Sequence, residues 1–125
     1  MTVDELTAYA GERYGAEAEY LWENAPNTFI FRHPGNRKWF AVVMDVPRNK
    51  LGLPGEDIVF VVNVKCGPLL SGSYRGQPGV LPAWHMNKTH WLSVLLDGTA
   101  QDDTVKELLE LSYDMTKPKR RSRHG

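Results

Sequence analysis

The chain has 125 residues, 15 basic and 15 acidic side chains, and a hydrophobic fraction of 42%. This size and composition predict one globular domain whose core needs no disulfide or structural metal. Cys66 is the single cysteine, no segment reaches the ~18 apolar residues of a membrane span, and no secretory pattern opens the chain, so we expect a cytoplasmic protein without membrane contact.

A helix is predicted within residues 1–14. Thr2 and Glu5 have the spacing of a capping box, in which each side chain accepts a hydrogen bond from the other residue's backbone amide. Gly15 is a typical end of such a helix. The apolar face predicted for this helix contains Val3, Leu6, Ala10 and Tyr14.

Three strands are predicted next, at 28–32, 38–45 and 58–65, because these segments are rich in β-branched and aromatic residues. His33–Arg37 has turn chemistry, so the first two strands are expected to form a hairpin. Residues 47–56 are predicted to be a loop. The apolar run Ile58–Val62 indicates a central strand with both faces buried.

The second half is predicted to hold a short helix at Gly67–Arg75, a loop at 77–82, an extended piece at Trp84–Met86, a strand at 91–96 and a helix at 102–116. Pro118 ends the last helix. Its predicted buried face contains Val105, Leu108, Leu109, Ser112 and Met115. The element order predicts an α+β fold, with an antiparallel sheet and helices packed on one face.

The charges of the chain end are strongly biased. Residues 1–30 carry six acids and one base, residues 31–116 carry nine of each, and residues 117–125 carry five bases and no acid. We therefore predict a domain at 1–116 and a disordered basic tail at 117–125. Such a tail is typical of an arm that grips nucleic-acid phosphates and equally of a solubilising terminus, and both interpretations stay open.

The segment Leu81–Gly98 is the most specific part of the sequence. Its string HMNKTHW, at 85–91, closely resembles the signature of the MmcQ/YjbR family, and Asn63–Pro68 and Arg75 also resemble that family. The resemblance covers roughly residues 1–116 and implies a CyaY-like fold. It also implies DNA binding through a "double wing" arrangement. The chain departs from the family pattern at 69–76, where Ser71–Ser73 weakens the expected helix.

The signature allows a functional and a structural interpretation. Lys88 could neutralise a phosphate, Asn87 could bond a base edge or phosphate, and Trp91 could stack on a base. Alternatively, His85 and Asn87 complete the hydrogen bonds of a tight bend, with Trp84 and Trp91 in the core. We expect Trp91 to be mostly buried, on one face with Ser93 and Leu95.

Catalysis and metal binding have weak sequence support. His85, His90 and Cys66 lack the paired close spacings of a zinc site, and the chain has no phosphate-binding glycine loop. We expect no enzyme activity, no metal and no cofactor. Cys66 is interpreted as a small core residue, with Lys65 on the opposite strand face.

The leading hypothesis is therefore a monomer that binds DNA weakly and mostly independently of sequence. The alternative is a protein-interaction or regulatory module without catalytic activity. The candidate nucleic-acid-binding residues are Lys65, Arg75, Asn87, Lys88, His90, Lys119, Arg120, Arg121 and Arg123.

Overall fold

A computed structural model describes residues 1–118, and residues 119–125 of the predicted tail lie outside the described residues. The described chain contains three α-helices, five strands and one 3₁₀-helix. In chain order they are α1 (Val3–Tyr14), β1 (Phe29–Arg32), β2 (Trp39–Pro47), the 3₁₀-helix (Arg48–Leu51), β3 (Ile58–Lys65), α2 (Gly67–Tyr74), β4 (Val80–Pro82), β5 (Trp91–Leu95) and α3 (Asp102–Thr116).

The five strands form one antiparallel sheet in the order β1-β2-β3-β5-β4. β3 is the central strand, as predicted, and Val62 pairs with Val43 of β2 on one side and with Val94 of β5 on the other. The predicted burial of the run Ile58–Val62 is wrong at its first residue, since Ile58 is 58% exposed. The prediction of an α+β fold with an antiparallel sheet is confirmed.

The helices cover one face of this sheet. The predicted capping box is present in α1, where the Thr2 amide donates to Glu5 Oε1 at 2.8 Å and the Glu5 amide donates to Thr2 Oγ1 at 3.1 Å. α1 ends at Gly15, whose φ is +65°. The core between helices and sheet includes Leu6, Phe31, Phe40, Val62, Val64, Leu92, Val94, Leu108 and Leu109.

The predicted buried face of α3 is right except at its end. Met115 is 45% exposed, and Thr116 is buried in its place. Thr116 follows Ser112 by four residues, so it continues the same helical face. Met115 lies about 60° from Ser112 around the helix axis, on the side away from Thr116. Ser112 Oγ also joins α3 to the sheet, because it donates to the Phe40 carbonyl and accepts from the Lys65 amide.

A β-bulge changes the direction of side chains in β2. The register between β1 and β2 shifts at Phe31–Arg32, where Arg32 pairs with Trp39 and Phe31 with Ala41. Phe40 and Ala41 both lie in the core beneath the helices. Their shared direction places Trp39 on the other, helix-free face, together with Val42 and Met44.

Two loop segments cover part of the helix-free face. A second hydrophobic cluster forms there from Val46, Val59, Val61 and Leu95, with Met44, Leu51, Leu53, Leu81 and Trp84 packed against it. Leu51 belongs to the 3₁₀-helix, which occupies part of the segment predicted to be a loop.

Two predictions in the second half are wrong. Trp84–Met86 bends rather than extends, and the short strand lies at Val80–Pro82, which was predicted to be a loop. β4 contains a proline and pairs with β5 alone, as an edge strand can. Within residues 1–118, none of the helices is long and apolar enough to cross a membrane.

Candidate nucleic-acid interface

The two ends of the sheet differ in charge. One end contains the β1–β2 turn, the last residue of β3, the turn before β5 and the end of α3. We call this end the basic end, because it carries five exposed or partly exposed basic side chains: Arg37, Lys38, Lys65, Lys88 and Lys117. The other end, which we call the acidic end, carries Glu56, Asp57, Asp97, Asp102 and Asp103.

Each end also carries compensating charges among the described residues. At the basic end, Glu19 pairs with Arg32 at 2.9 Å, and Glu17 and Glu19 line a depression with Arg37. At the acidic end, Lys50 is exposed on the 3₁₀-helix.

At the acidic end, Arg48 pairs with Asp97 at 3.1 Å and the amino terminus pairs with Asp102 at 3.0 Å. At the basic end, Lys117 lies 3.6 Å from Asp114, and both side chains are more than half exposed. Such an exposed ion pair contributes little stability, so it leaves Lys117 able to meet another anion.

The β1–β2 turn is fixed to the end of α3 by buried hydrogen bonds. His33 is 2% exposed, and its Nε2 lies 3.0 Å from the Tyr113 carbonyl and 2.9 Å from Thr116 Oγ1. Asn36 Nδ2 donates to the Thr116 carbonyl at 2.9 Å. Burial lowers the pKa of His33, so the ring is held neutral at neutral pH. These contacts hold Arg37 and Lys38 beside the point where the chain continues into the tail.

A shallow depression at the basic end, where the helix-free face meets the end of α3, joins two tryptophans to these bases. It has a volume of about 370 Å³ and is lined by Arg37, Lys38, Trp39, Lys65, Trp91 and Thr116. Trp91 pairs with Lys65 across neighbouring strands and is partly buried. The expected arrangement of β5 is confirmed, since Leu92 and Val94 enter the helix-side core while Leu95 lies on the other face.

The signature loop is held by a buried polar network. Ser93 Oγ accepts from the Trp84 amide at 2.8 Å and donates to Asn63 Oδ1. Asn63 Nδ2 donates to the Trp84 carbonyl at 2.8 Å. Both backbone groups of Trp84 are therefore bound to side chains of β3 and β5. His85 follows with a φ of +59°, which reverses the chain where an extended piece was expected.

The candidate residues of this loop divide into structural and exposed groups. Asn87 Oδ1 accepts from the Thr89 amide at 2.8 Å, as the structural interpretation predicted. Arg75 donates to the Lys88 carbonyl at 2.5 Å and so ties α2's end to the loop, although the residue remains exposed. Lys88 is exposed and His90 is partly buried. Residues 84–90 therefore form bends and turns and not an extended strand.

Sequence reasoning missed Arg37 and Lys38 as candidate residues. The signal was available, since both lie in a predicted hairpin turn, but their proximity to Lys65 depends on the pairing of β2 with β3. The predicted residues Lys119, Arg120, Arg121 and Arg123 lie outside the described residues.

Cys66 lies in the helix-side core, as expected of a small apolar residue. Burial raises the pKa of its thiol and outweighs the opposing charge of Arg75, so the nucleophilic thiolate is disfavoured. Between residues 1 and 118, the structure contains no cluster of three His, Cys, Asp or Glu side chains suited to holding a metal ion.

A larger groove, also missed by sequence reasoning, lies on the same helix-free face. It has a volume of about 950 Å³, and we call it the aromatic groove. Val42, Met44 and Val46 of β2 contribute to it, together with loop residues that include Trp22 and Trp84. Trp39 lines both this groove and the shallow depression at the basic end.

Comparison with known proteins identifies the family. The profile of a family described as YjbR matches residues 12–115. The chain belongs to the YjbR family. This YjbR family member is 36% identical over 117 residues to the uncharacterised protein YyaQ of Bacillus subtilis, covering 94% of this chain and 99% of YyaQ. It is 28% identical over 124 residues to the uncharacterised protein YjbR of Escherichia coli K12, covering 90% of this chain and 85% of that one.

Solved structures of similar proteins have the same fold. A crystal structure of a Pseudomonas syringae protein is 39% identical, with a TM-score of 0.91 and coverage of 94% of this chain and 100% of that chain. A solution structure from the same organism is 38% identical, with a TM-score of 0.89 and coverage of 100% of both chains. A Deinococcus radiodurans crystal structure, 23% identical with a TM-score of 0.69, covers 98% of this YjbR family member and 83% of its own chain, and shares the fold.

Proposed function

We propose that this YjbR family member binds DNA weakly and largely independently of sequence, through the basic end of its sheet. The observation that carries the proposal is the separation of charge along the sheet. Residues 1–116 contain ten bases and fifteen acids, a net charge of −5, which by itself opposes contact with a duplex. The excess of bases over acids at the basic end reduces that objection locally, because exposed charges more than ~8–10 Å apart, such as those of the acidic end, are largely screened at physiological ionic strength.

The chemistry of the basic end suits phosphates better than base edges. Arg37, Lys38 and Lys88 are exposed cations on turns, and Lys65 is partly exposed at the end of β3. Flexible lysines neutralise phosphates as point charges without specifying a base. Asn87, which could read a base edge, already accepts the Thr89 amide through Oδ1. Binding that depends mainly on phosphates is weak and independent of sequence.

Arg75 and His90 have supporting roles in this proposal. Arg75 holds the turn that carries Lys88, through the Lys88 carbonyl. The His90 carbonyl accepts the Cys66 amide at 2.8 Å and the Gly67 amide at 3.2 Å, which fixes the same turn against the end of β3. The bases of the tail, beyond Lys117, would extend the contact along the phosphate backbone.

The test is DNA titration of charge-matched variants by fluorescence anisotropy at several salt concentrations. Lys38→Gln/Lys88→Gln removes two bases from the basic end. Arg13→Gln/Lys106→Gln removes two bases from the helical side and makes the same change in net charge. Each lost phosphate contact reduces the slope of log K against log[salt] by ~0.9, so the first variant should lose ~1.8 and the second almost nothing. Equal slopes for the two variants would refute the proposed interface.

One observation favours a protein-interaction module as the second candidate. Leu69 on α2 is 90% exposed, and Leu70 beside it is 39% exposed. Adjacent exposed leucines on one short helix are suited to contact with a protein partner. This alternative predicts a stoichiometric partner whose binding is lost in Leu69→Ser, together with no salt-dependent affinity for DNA.

A further inference from the structure

The aromatic groove places indole rings on an open sheet face. The Trp22 and Trp39 rings are perpendicular, with centroids 5.6 Å apart, and form a corner of the groove. On the other side, Trp84 and His85 make an edge contact with centroids 4.4 Å apart. Three of the chain's four tryptophans thus line one cavity. Its volume is within the range of sites that hold a flat organic group.

The β-bulge connects this groove to the basic end. Because Phe40 and Ala41 both enter the core, Trp39 turns to the helix-free face and lies between the groove and the depression that contains Lys65. β2 has nine residues, so the groove extends at most ~30 Å from Trp39 to the neighbourhood of Lys50. That length accommodates no more than ~9 stacked nucleotides at 3.4 Å each.

The charges around the groove are complementary to an anionic strand. Arg37, Lys38 and Lys65 lie at one end, and Lys50, on the 3₁₀-helix at the acidic end of the sheet, lines the other. Asp45 is the acid among the lining residues, and its Oδ2 accepts from Asn27 Nδ2 at 3.1 Å. A strand whose phosphates meet both groups of bases would pass its bases over the indole rings between them.

We propose that the aromatic groove holds unpaired bases of a single-stranded nucleic acid whose phosphates are bound by the basic end. This inference rests on the proposed function and adds to it a site for single strands, whereas a duplex contacts the basic end alone. In a duplex the base faces are covered by neighbouring base pairs, and only edges are accessible in the grooves. Indole rings recessed beside a loop stack on base faces, which only an unpaired strand presents.

Trp22→Leu tests the inference at a position distant from the basic side chains that bind phosphates. Trp22 lies in the loop before β1 and lines the groove but not the depression at the basic end. Loss of one stacked base should weaken binding of a dT12 oligonucleotide by about 5- to 150-fold. Binding of a 12-base-pair duplex should be unchanged. Tyr20→Leu is the matched control, because Tyr20 is 62% exposed in the same loop and does not line the groove.

A second variant and a second signal distinguish loss of the binding site from a folding defect in Trp22→Leu. Ala25→Glu puts a carboxylate at the groove wall without removing an aromatic ring, and should also weaken dT12 binding while the melting temperature stays near that of wild type. In the wild-type protein, dT12 should quench tryptophan fluorescence, since stacked bases contact the indoles. The duplex should quench it less at equal saturation.

The outcomes separate this inference from the proposed function. One outcome is that dT12 and the duplex both bind with a salt-dependent affinity that Lys38→Gln/Lys88→Gln reduces, while Trp22→Leu and Tyr20→Leu bind dT12 equally well. The groove inference is then wrong, and DNA binding by the basic end is still supported. If neither nucleic acid binds, both fail. Selective loss of dT12 binding in Trp22→Leu and Ala25→Glu, with duplex binding retained, supports single-strand recognition.

Discussion

Ser93 is expected to be a main support of the signature loop. Its hydroxyl accepts the Trp84 amide and donates to Asn63 Oδ1, and Asn63 is fully buried. Ser93→Ala removes one oxygen and leaves the strand and its neighbours in place. The change therefore isolates the two hydrogen bonds of the Ser93 hydroxyl and leaves the one from Asn63 Nδ2 to the Trp84 carbonyl in place.

The magnitude follows from the groups left without partners. Asn63 Oδ1 loses its hydrogen-bond donor in a buried site, which costs ~1–3 kcal/mol. The Trp84 amide is only partly buried, so water can replace the lost acceptor and the cost is ~0.5–1.5 kcal/mol. The sum of ~1.5–4.5 kcal/mol corresponds to a fall in Tm of ~6–18 °C, because a domain of this size loses ~4 °C per kcal/mol.

Thermal unfolding followed by circular dichroism measures this effect. Ser73→Ala is the matched control, since Ser73 is exposed on α2 and alanine is at least as favourable in a helix. The control should melt within ~2 °C of wild type. A Ser93→Ala protein that melts with the control would refute the structural role assigned to the buried network.

Three further predictions concern other parts of the molecule. Burial lowers the pKa of His33, so the unfolded chain binds a proton that the folded protein does not as pH falls through ~6.5. The free energy of unfolding should therefore decrease there by up to ~1.4 kcal/mol per pH unit. Urea unfolding at several pH values should show a flatter dependence for His33→Gln. Gly79→Ala should lower the free energy of unfolding by ~2–5 kcal/mol, since φ is +77° and the new Cβ would lie 2.6 Å from the Ala100 amide nitrogen. Gly15→Ala, where φ is +65° but the space around a Cβ is open, should lower it by only ~1–2 kcal/mol. Replacing the four bases of residues 119–123 by serine should lower the salt slope for duplex DNA by up to ~3.6.

Each of these predictions has a contrary result. An unchanged pH dependence in His33→Gln would mean that the ring titrates in the folded protein as it does in the unfolded chain. Equal destabilisation by the two glycine substitutions would remove the role of the contact with Ala100. An unaltered salt slope in the serine variant would mean that the tail makes no phosphate contacts.

The features best predicted from the sequence depend on neighbours in the chain. The Thr2–Glu5 capping box and the Gly15 helix end are examples, because each involves residues within one or two turns. The α+β sheet was also predictable, since strongly apolar segments of strand length alternate with turn residues. Trp84–Met86 misled because the hydrogen bonds that bend it come from Asn63 and Ser93, distant in sequence.

The candidate sites were less predictable, for two physical reasons. First, the bulge at Phe40 lies in the apolar run 39–44, whose residues do not alternate between polar and apolar. The sequence therefore does not show which face of the sheet the Trp39 side chain lies on. Second, the aromatic groove combines Trp22, Trp39 and Trp84, which the folded sheet brings together across 62 positions of sequence. Periodicity within a segment carries no information about such a combination.

The central claim is that the basic end of the sheet contacts nucleic acid. The most direct measurement is an NMR titration of the ¹⁵N-labelled full chain with a short DNA oligonucleotide at low salt. Perturbed amides should cluster at 36–38, 64–66 and 87–91, while those at 55–58 and 97–103 stay unchanged. Perturbations centred on the acidic end, or none at DNA concentrations that saturate weak binding, would contradict it.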